Sequence, residues 1–380
     1  MLISTGGVIR GYGPRARAGS RDADYSAWYR RWPAPVGPLG DPDEALRNLH
    51  ESFDEIELLD RLGFDWVSFS EHHYNMAGMS AVPMLVAANV AARLRHAKVA
   101  MIGPVMPLNN PVRVAEEIAT LEQLSEGRLI VGFLRGIPQE FQVYTVDPAE
   151  TRDRTTEGME LVLKALTEPE PFSWEGRYYQ FRTISVTPRP LQQPYPPSYV
   201  LGNSPESCEF AAKHHMGFGM AFETFAINGR SGSYYRERCA AYGWKPKPEQ
   251  IIYRGVTYLA ESDKEAEEYL ETLRESDRMR GESSVWNAII KADPNPYHDG
   301  GAPLPGRDDH PKEPVWRGGA LLPTFCGTPE TIIQQVKQCN EETGAGVIDF
   351  LFQRQGYSNA KAVRMLEMFA AKVMPQIRDI

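Results

Sequence analysis

Long apolar runs and cysteine pairs are both missing from this chain. No apolar segment approaches the roughly 18 residues that a membrane-spanning helix needs, and the N-terminus has no cationic flank followed by an apolar segment. The four cysteines, Cys208, Cys239, Cys326 and Cys339, are widely scattered and form no C-x-x-C pair, which argues against a disulfide framework or a zinc knuckle. We therefore expect a cytoplasmic protein with no membrane partner.

An excess of positive charge and the common phosphate-binding motifs are also missing. The formal net charge is −9 and there is no long basic run, which argues against nucleic acid as a partner. No G-x-G-x-x-G follows a candidate strand and no G-x-x-x-x-G-K-[ST] occurs, so neither a Rossmann site nor a P-loop is predicted. The histidines outside one adjacent pair lack metal-binding spacing, and we expect no metal site.

What the chain does contain is a regular alternation of short apolar runs and longer amphipathic segments. With 380 residues, 42% of them hydrophobic, this rhythm predicts a single (β/α)8 TIM barrel with insertions, spanning residues 1–380. The eight candidate strands are 2–5, 66–70, 98–102, 129–133, 198–201, 217–221, 251–259 and 347–351. Candidate helices lie near 43–62, 81–94, 112–125, 151–167, 205–214, 223–241, 263–277, 329–343 and 359–372.

Three segments exceed what a bare barrel requires. Residues 6–42 are rich in glycine, proline and aromatic residues, which predicts a long first loop. Residues 170–197 predict a hairpin that turns near Glu175-Gly176. Residues 280–323 have little apolar periodicity, and a stretch of that length is typical of a lid. We predict that 280–323 covers the barrel mouth; a surface or dimer-contact insertion is the alternative.

An arginine follows the candidate strand 129–133. Arg135 lies where α/β folds place their ligands, and Gly136 lets the backbone approach whatever the guanidinium holds. A permanently charged, fork-shaped donor suits a phosphate group. The pattern therefore favours phosphate binding by Arg135, with a rim ion pair to Glu140 as the structural alternative.

Two adjacent histidines follow the second candidate strand. Because successive side chains point in opposite directions, one of His72 and His73 can face the mouth while the other packs sideways. A general base or hydrogen-bond donor at the mouth is the favoured interpretation. A purely structural pair and a zinc site are the alternatives.

Glycine, proline and serine mark two further strand ends. Gly103-Pro104 removes a side chain and a backbone donor, which allows a flat apolar surface or a cis peptide; an ordinary tight turn is equally compatible. Ser204 before Pro205 predicts a helix N-cap, and with Ser207 it offers hydroxyls beside free N–H groups. Together with Arg135 this helix start would form a phosphate cradle, although such a sequence is also a plain cap.

These motifs, taken in order, resemble those of the bacterial luciferase-like flavin-dependent monooxygenases. The matching segments are Glu71-His72-His73, Asn110-Pro111-Val112-Arg113 with Glu116-Glu117, Leu124-Ser125-Glu126-Gly127-Arg128, Leu134-Arg135-Gly136 and Ser204-x-x-Ser207. The resemblance implies a (β/α)8 barrel that binds FMN. It also shows a departure, since Leu134 stands where luciferases carry a reactive cysteine.

The resemblance assigns roles to particular residues. Arg135, Ser204 and Ser207 are implied to bind the flavin phosphate, and the backbone near Ile137 and Asn203 to lie beside the cofactor. Gly103 matches a non-prolyl cis-peptide segment under the isoalloxazine ring, with Pro104 beside it. His72 matches the histidine that acts as catalytic acid or base.

The resemblance further implies the oxygenase component of a two-component system. Reduced FMN would come from a separate NAD(P)H:flavin reductase and react with O2 at C4a to give a peroxyflavin that oxygenates a small, apolar organic substrate. Hydroxylation and Baeyer–Villiger insertion stay open. A deazaflavin-dependent hydride-transfer enzyme and a non-catalytic flavin-binding protein are the alternatives, and a homodimer is expected.

Overall fold

A computed structural model describes residues 1–6, 42–73, 81–137, 140–141, 144–271, 324–352 and 359–380. The predicted long first loop falls almost entirely outside these residues, and so does the predicted cover at 280–323. The hairpin predicted within 170–197 lies inside them.

Eight of the eleven described strands form a closed barrel. The strands in chain order are β1 (Leu2–Gly6), β2 (Trp66–Phe69), β3 (Lys98–Val105), β4 (Leu129–Leu134), β5 (Phe172–Glu175), β6 (Gln180–Ile184), β7 (Ser198–Leu201), β8 (Gly217–Ala221), β9 (Ile251–Leu259), β10 (Phe325–Gly327) and β11 (Val347–Phe352). Parallel pairing runs β1-β2-β3-β4-β7-β8-β9-β11, and β11 pairs with β1 to close the ring. The predicted TIM barrel is thus confirmed, strand by strand.

The helices that separate these strands also lie within a few residues of their predicted positions. They are α1 (Pro42–Leu62), α2 (Pro83–Ala91), α3 (Pro111–Leu124), α4 (Thr151–Thr167), α5 (Pro205–Lys213), α6 (Phe225–Ala241), α7 (Pro329–Thr343), α8 (Asn359–Lys372) and α9 (Met374–Ile377). Residues 263–271 are helical as well, and the rest of the helix predicted there lies outside the described residues. Two short elements, β10 and α9, escaped prediction because three or four residues carry no readable period.

The predicted hairpin consists of β5 and β6, which pair antiparallel. Glu157 of α4 fastens it to the barrel, because its carboxylate accepts hydrogen bonds from Trp174 Nε1 at 3.2 Å and from the backbone N–H groups of Tyr178 and Tyr179, each at 3.0 Å. The hairpin is therefore held against helix α4 of the barrel by hydrogen bonds.

Alternation of side chains along the strands fills both faces of the barrel wall. Outward residues pack under the helices in the main core, and inward residues plug the barrel interior with a smaller apolar cluster that includes Trp66, Ile130, Tyr199, Ile252 and Val347. Because the strands are parallel, their C-terminal ends share one rim, which we call the mouth. The apolar plug leaves the mouth as the place for a site.

Candidate functional site

The residues that the sequence singles out follow neighbouring strands of the barrel. Phe69 of β2 pairs with Met101 of β3, and Ile102 of β3 pairs with Gly132 of β4. Phe133 of β4 in turn pairs with Val200 of β7. The segments that begin after β2, β4 and β7, together with the end of β3, therefore meet along one half of the mouth.

The two histidines at this rim point to different partners. His72 Nδ1 lies 3.0 Å from Glu140 Oε1, and its side chain is 39% exposed. His73 Nε2 lies 2.8 Å from Glu71 Oε1, and its side chain is only 7% exposed. This agrees with the expectation that one imidazole reaches the mouth and the other packs sideways.

The carboxylate of Glu140 organises this histidine pair. It is fully buried, and it accepts hydrogen bonds from His72 Nδ1 at 3.0 Å, from the Ile137 backbone N–H at 2.9 Å and from the His73 backbone N–H at 3.4 Å. Since an ionised carboxylate only accepts, His72 Nδ1 is the donor in its contact with Glu140. Glu140, considered from the sequence as a rim partner of Arg135, thus holds the histidine segment.

Glu71 holds the second histidine, His73, in place. Its Oε2 accepts from the Val105 backbone N–H at 2.9 Å, and Asn109 Nδ2 approaches both carboxylate oxygens at 3.3 and 3.2 Å. Tyr144 closes the group, because its hydroxyl lies 3.2 Å from His73 Nδ1. The His73 imidazole is therefore held on both ring nitrogens.

Gly103 and Pro104 lie within a strand, so both a tight turn and a cis peptide at this position are wrong predictions. Strand β3 continues through them to Val105, with a shift of its pairing register between Ile102 and Val105. In the described part of the chain, the cis peptide bonds are those that precede Pro188 and Pro194. The register shift absorbs Pro104, which has no N–H to contribute to the sheet.

Two glycines at this rim make room for close packing. Gly103 has φ +116°, and a Cβ there would lie 2.5 Å from Leu134 Cδ1. Gly136 has φ +95°, and a Cβ there would lie 2.5 Å from Val105 Cγ1 and 3.1 Å from Glu140 Oε2. The segment after β4, which carries the half-buried Arg135, can approach Glu140 only because residue 136 is glycine.

The helix start after β7 has the predicted cap. Ser204 is the N-cap of α5, and its Oγ accepts from the Ser207 backbone N–H at 3.3 Å. The hydroxyls of Ser204 and Ser207 lie 3.1 Å apart, so the structure brings the two predicted serines together at the positive end of the helix dipole.

A second arginine that the sequence analysis missed lies at this helix start. Arg152 of α4 places Nη1 3.3 Å from Ser204 Oγ and 2.8 Å from Glu206 Oε2. No local motif identifies it, because it reaches the serines across 52 residues of sequence. The cradle thus has two hydroxyls, helix N–H groups and a guanidinium whose charge Glu206 partly offsets.

Asn203 adds a buried acceptor beside the cradle. Its Oδ1 is buried and has no hydrogen-bond partner among the described residues, whereas its Nδ2 lies 3.5 Å from the Ala221 carbonyl oxygen. A buried amide oxygen without a donor is unfavourable unless a ligand or water supplies one. The Asn203 side chain is therefore suited to accept from a bound molecule.

A metal centre and a membrane-spanning helix are two other features that a chain of this kind could contain. Among the described residues, no group of three or more His, Cys, Asp and Glu side chains is arranged to hold a metal ion. Within the same part of the chain, no helix has the length and apolar character needed to cross a membrane.

Comparison with known proteins identifies relatives of this chain and of its fold. The family model described as luciferase-like monooxygenase matches residues 32–346. The chain is 24% identical over 332 residues to an alkanal monooxygenase alpha chain of Aliivibrio fischeri, covering 84% of this chain and 91% of that one. It is 27% identical over 237 residues to the oxygenase component of a flavin-dependent trigonelline monooxygenase of Acinetobacter baylyi, covering 59% and 63%.

Solved structures share the architecture. The monooxygenase RslO1 of Streptomyces bottropensis is similar with a TM-score of 0.73 and 25% identity, covering 99% of both chains. Proteins whose titles name coenzyme F420 share the fold at 16% identity, which is a likeness of fold alone. The chain spans about half the length of several other curated relatives that it matches, so the activity of those whole proteins does not transfer directly.

The hydrogen bonds of Glu140 lead to a stability prediction. Replacing Glu140 with alanine leaves two backbone N–H groups and the His72 Nδ1 without their buried acceptor, so we expect the free energy of unfolding to fall by about 3 kcal/mol. Denaturant unfolding measures the change. The control is Glu117→Ala, which removes a surface pair with Arg113 and is expected to cost about 0.5 kcal/mol or less. Equal losses in the two variants would contradict the role given to Glu140.

Proposed function

This chain belongs to the luciferase-like monooxygenase family, and on that premise we propose that it uses reduced FMN and O2 to oxygenate a small, apolar organic substrate. The observation that supports the proposal best is the arrangement of the mouth. At the end of β7, the hydroxyls of Ser204 and Ser207 lie beside the N-terminus of helix α5. At the end of β2, His72 contacts the carboxylate of Glu140. Strands β3 and β4 lie between these two groups in the barrel.

The residues at the mouth fit the parts of FMN. Ser204, Ser207 and the N–H groups of α5 would bind the phosphate, with Arg135 and Arg152 supplying positive charge. The buried Oδ1 of Asn203 would accept a hydrogen bond from the cofactor. The remaining predicted contacts with FMN are Gly103, Pro104 and the backbone of Ile137. Gly103 and Pro104 lie in β3 and Ile137 follows β4, so these contacts would lie between the phosphate cradle and the histidines.

The chain's own residues have defined tasks in this proposal. When bound, reduced FMN would supply the electrons that activate O2, one oxygen atom of which enters the substrate. His72 would exchange a proton at Nε2, because Glu140 fixes the opposite nitrogen as donor. The closed barrel and its apolar plug would keep bulk water from the lower side of the site.

Partners are part of the proposal. A separate NAD(P)H:flavin reductase would deliver the reduced FMN, and the cytoplasm would be the compartment. We further propose a homodimer, because large apolar side chains are exposed on this chain: Leu85 of α2 is 71% exposed, Val82 just before α2 is 56% exposed, and Leu46 of α1 is 52% exposed. A second copy of the chain would cover them.

Cofactor binding gives the first test. We expect Arg135→Ala to weaken the binding of reduced FMN by about 1.5–3 kcal/mol, the range for a charge-assisted hydrogen bond, while the barrel stays folded. Anaerobic equilibrium titration measures the affinity. Arg113→Ala is the matched control, since Arg113 of α3 is 68% exposed and, among the described residues, its ion pairs are with carboxylates of its own helix. Unchanged affinity in folded Arg135→Ala would reduce Arg135 to a structural residue.

Proton transfer gives the second test. With a substrate identified by screening, we expect His72→Ala to retain reduced FMN but to lose on the order of 10²–10⁴ in product turnover. Product formed per reduced FMN oxidised is the quantity to measure. His73→Ala should lower turnover less, because His73 is buried against Glu71 rather than directed to the mouth. The reverse ranking would exchange the two roles.

A further inference from the structure

A polar cluster occupies the other half of the barrel interior, directly above the apolar plug. It consists of Ser4 of β1, Ser68 of β2, Arg254 of β9 and Asp349 of β11. Each lies two residues after a member of the plug or its packed neighbours, Leu2, Trp66, Ile252 and Val347, so each points inward by the same alternation. The cluster therefore faces the interior just below the mouth.

Asp349 is the anchor of this cluster. Its side chain is 1% exposed, and its Oδ1 accepts from Ser4 Oγ at 2.8 Å and from Ser68 Oγ at 3.0 Å. Its Oδ2 lies 3.0 Å from Ser68 Oγ and 3.4 Å from Arg254 Nε. The two hydroxyls each donate one proton to the carboxylate, and the contact with Arg254 is an ion pair without an aligned hydrogen bond.

Arg254 keeps its donors available. Its side chain is 12% exposed, and Nε is buried without a hydrogen-bond partner among the described residues. The guanidinium lies over Gly6, the last residue of β1, because a Cβ at Gly6 would be 2.8 Å from Nη2 and 2.3 Å from Ser68 Oγ. The ion pair with Asp349 offsets the charge of the guanidinium, but among the described residues the guanidinium makes no hydrogen bond and can still donate one to a ligand or water.

The FMN phosphate does not explain this arginine. The proposed phosphate cradle follows β7, whereas Arg254 is in β9, two strands further round the barrel, and points into the interior. The interior beside the cradle is apolar instead, since Leu201 fills the space that Gly132 and Gly219 leave open. The inward-facing side chains thus change from apolar at the end of β7 to hydrogen-bond donating in β9.

We propose that Arg254 binds the oxygen of an uncharged carbonyl group on the substrate. This inference rests on the proposed oxygenase function and specifies its substrate class: an apolar molecule with a ketone or similar carbonyl. The guanidinium only donates and a carbonyl oxygen only accepts, so the two are complementary. The apolar remainder of the substrate would lie against the side of Leu201.

The paired Asp349 selects against an anionic substrate. With Asp349 3.4 Å from Nε, the pair has no net charge, and adding a carboxylate would place two negative charges around one guanidinium in a poorly solvated space. A carbonyl oxygen gains the charge-assisted hydrogen bond without adding charge. Asp349 thereby sets the preference for a neutral ligand, and Arg254 sets its orientation.

Three probes of similar size test the proposal on the full-length protein. Acetophenone carries a carbonyl, benzoate an anionic carboxylate, and ethylbenzene no oxygen; ligand-observed NMR titration gives their affinities. We expect acetophenone to bind about tenfold or more tightly than ethylbenzene and more tightly than benzoate. Arg254→Met should abolish the advantage over ethylbenzene, and Asp349→Asn, which keeps an acceptor for the serines, should raise benzoate affinity above that of acetophenone.

Equal affinity for all three probes, or no detectable acetophenone binding up to its solubility limit, would overturn the proposal. So would an Arg254→Met protein that retains the preference for acetophenone while circular dichroism shows it folded. Reduced FMN affinity, measured on the same samples, separates the two claims. Retained FMN binding without probe discrimination rejects the substrate class alone, and probe discrimination without FMN binding rejects the proposed function alone.

Discussion

The closed parallel register of the barrel is the constraint on which the rest of this structure depends. Because all eight barrel strands run the same way, every strand delivers its last residues to one rim, and strict alternation decides which of them face inward. The same rule that buries Trp66 and Ile252 in the plug brings Ser68 and Arg254 into the layer above it. A slip of one residue in the pairing of any strand would turn its inward side chains outward and its outward side chains inward.

Buried carboxylates then fix the polar groups at that rim. Glu140 holds the His72 segment to the segment after β4, and Asp349 holds the serines and Arg254 of the opposite half. Glu140 accepts from two backbone N–H groups and His72, and Asp349 accepts from two hydroxyls beside the charge of Arg254, which limits the cost of burying each carboxylate. By our proposals, the mouth accordingly has a side that exchanges a proton, a side that binds the FMN phosphate and a side that binds a substrate carbonyl.

Local signals could be read from the sequence, and distant contacts could not. The helix N-cap at Ser204 and the end of strand β4 just before Arg135 are both specified by residues close together in sequence, and the structure has both as predicted. Gly103 misled, because a glycine-proline pair looks locally like a turn, whereas β3 passes through it with a shift of register and pairs with β4 again at Val105. Arg152, Glu140 and Arg254 acquire their roles from partners 52, 68 and 95 residues away, which no short motif records.

The central claim, that this mouth binds reduced FMN to oxygenate a carbonyl-containing substrate, is tested most directly by a single anaerobic experiment. The protein is titrated with reduced FMN and, separately, with a reduced deazaflavin cofactor, and isotopically labelled O2 is then admitted in the presence of a ketone. The account predicts binding of reduced FMN and one labelled oxygen atom in the organic product. Binding of the deazaflavin alone, with reduction of the ketone before O2 is admitted, would contradict it.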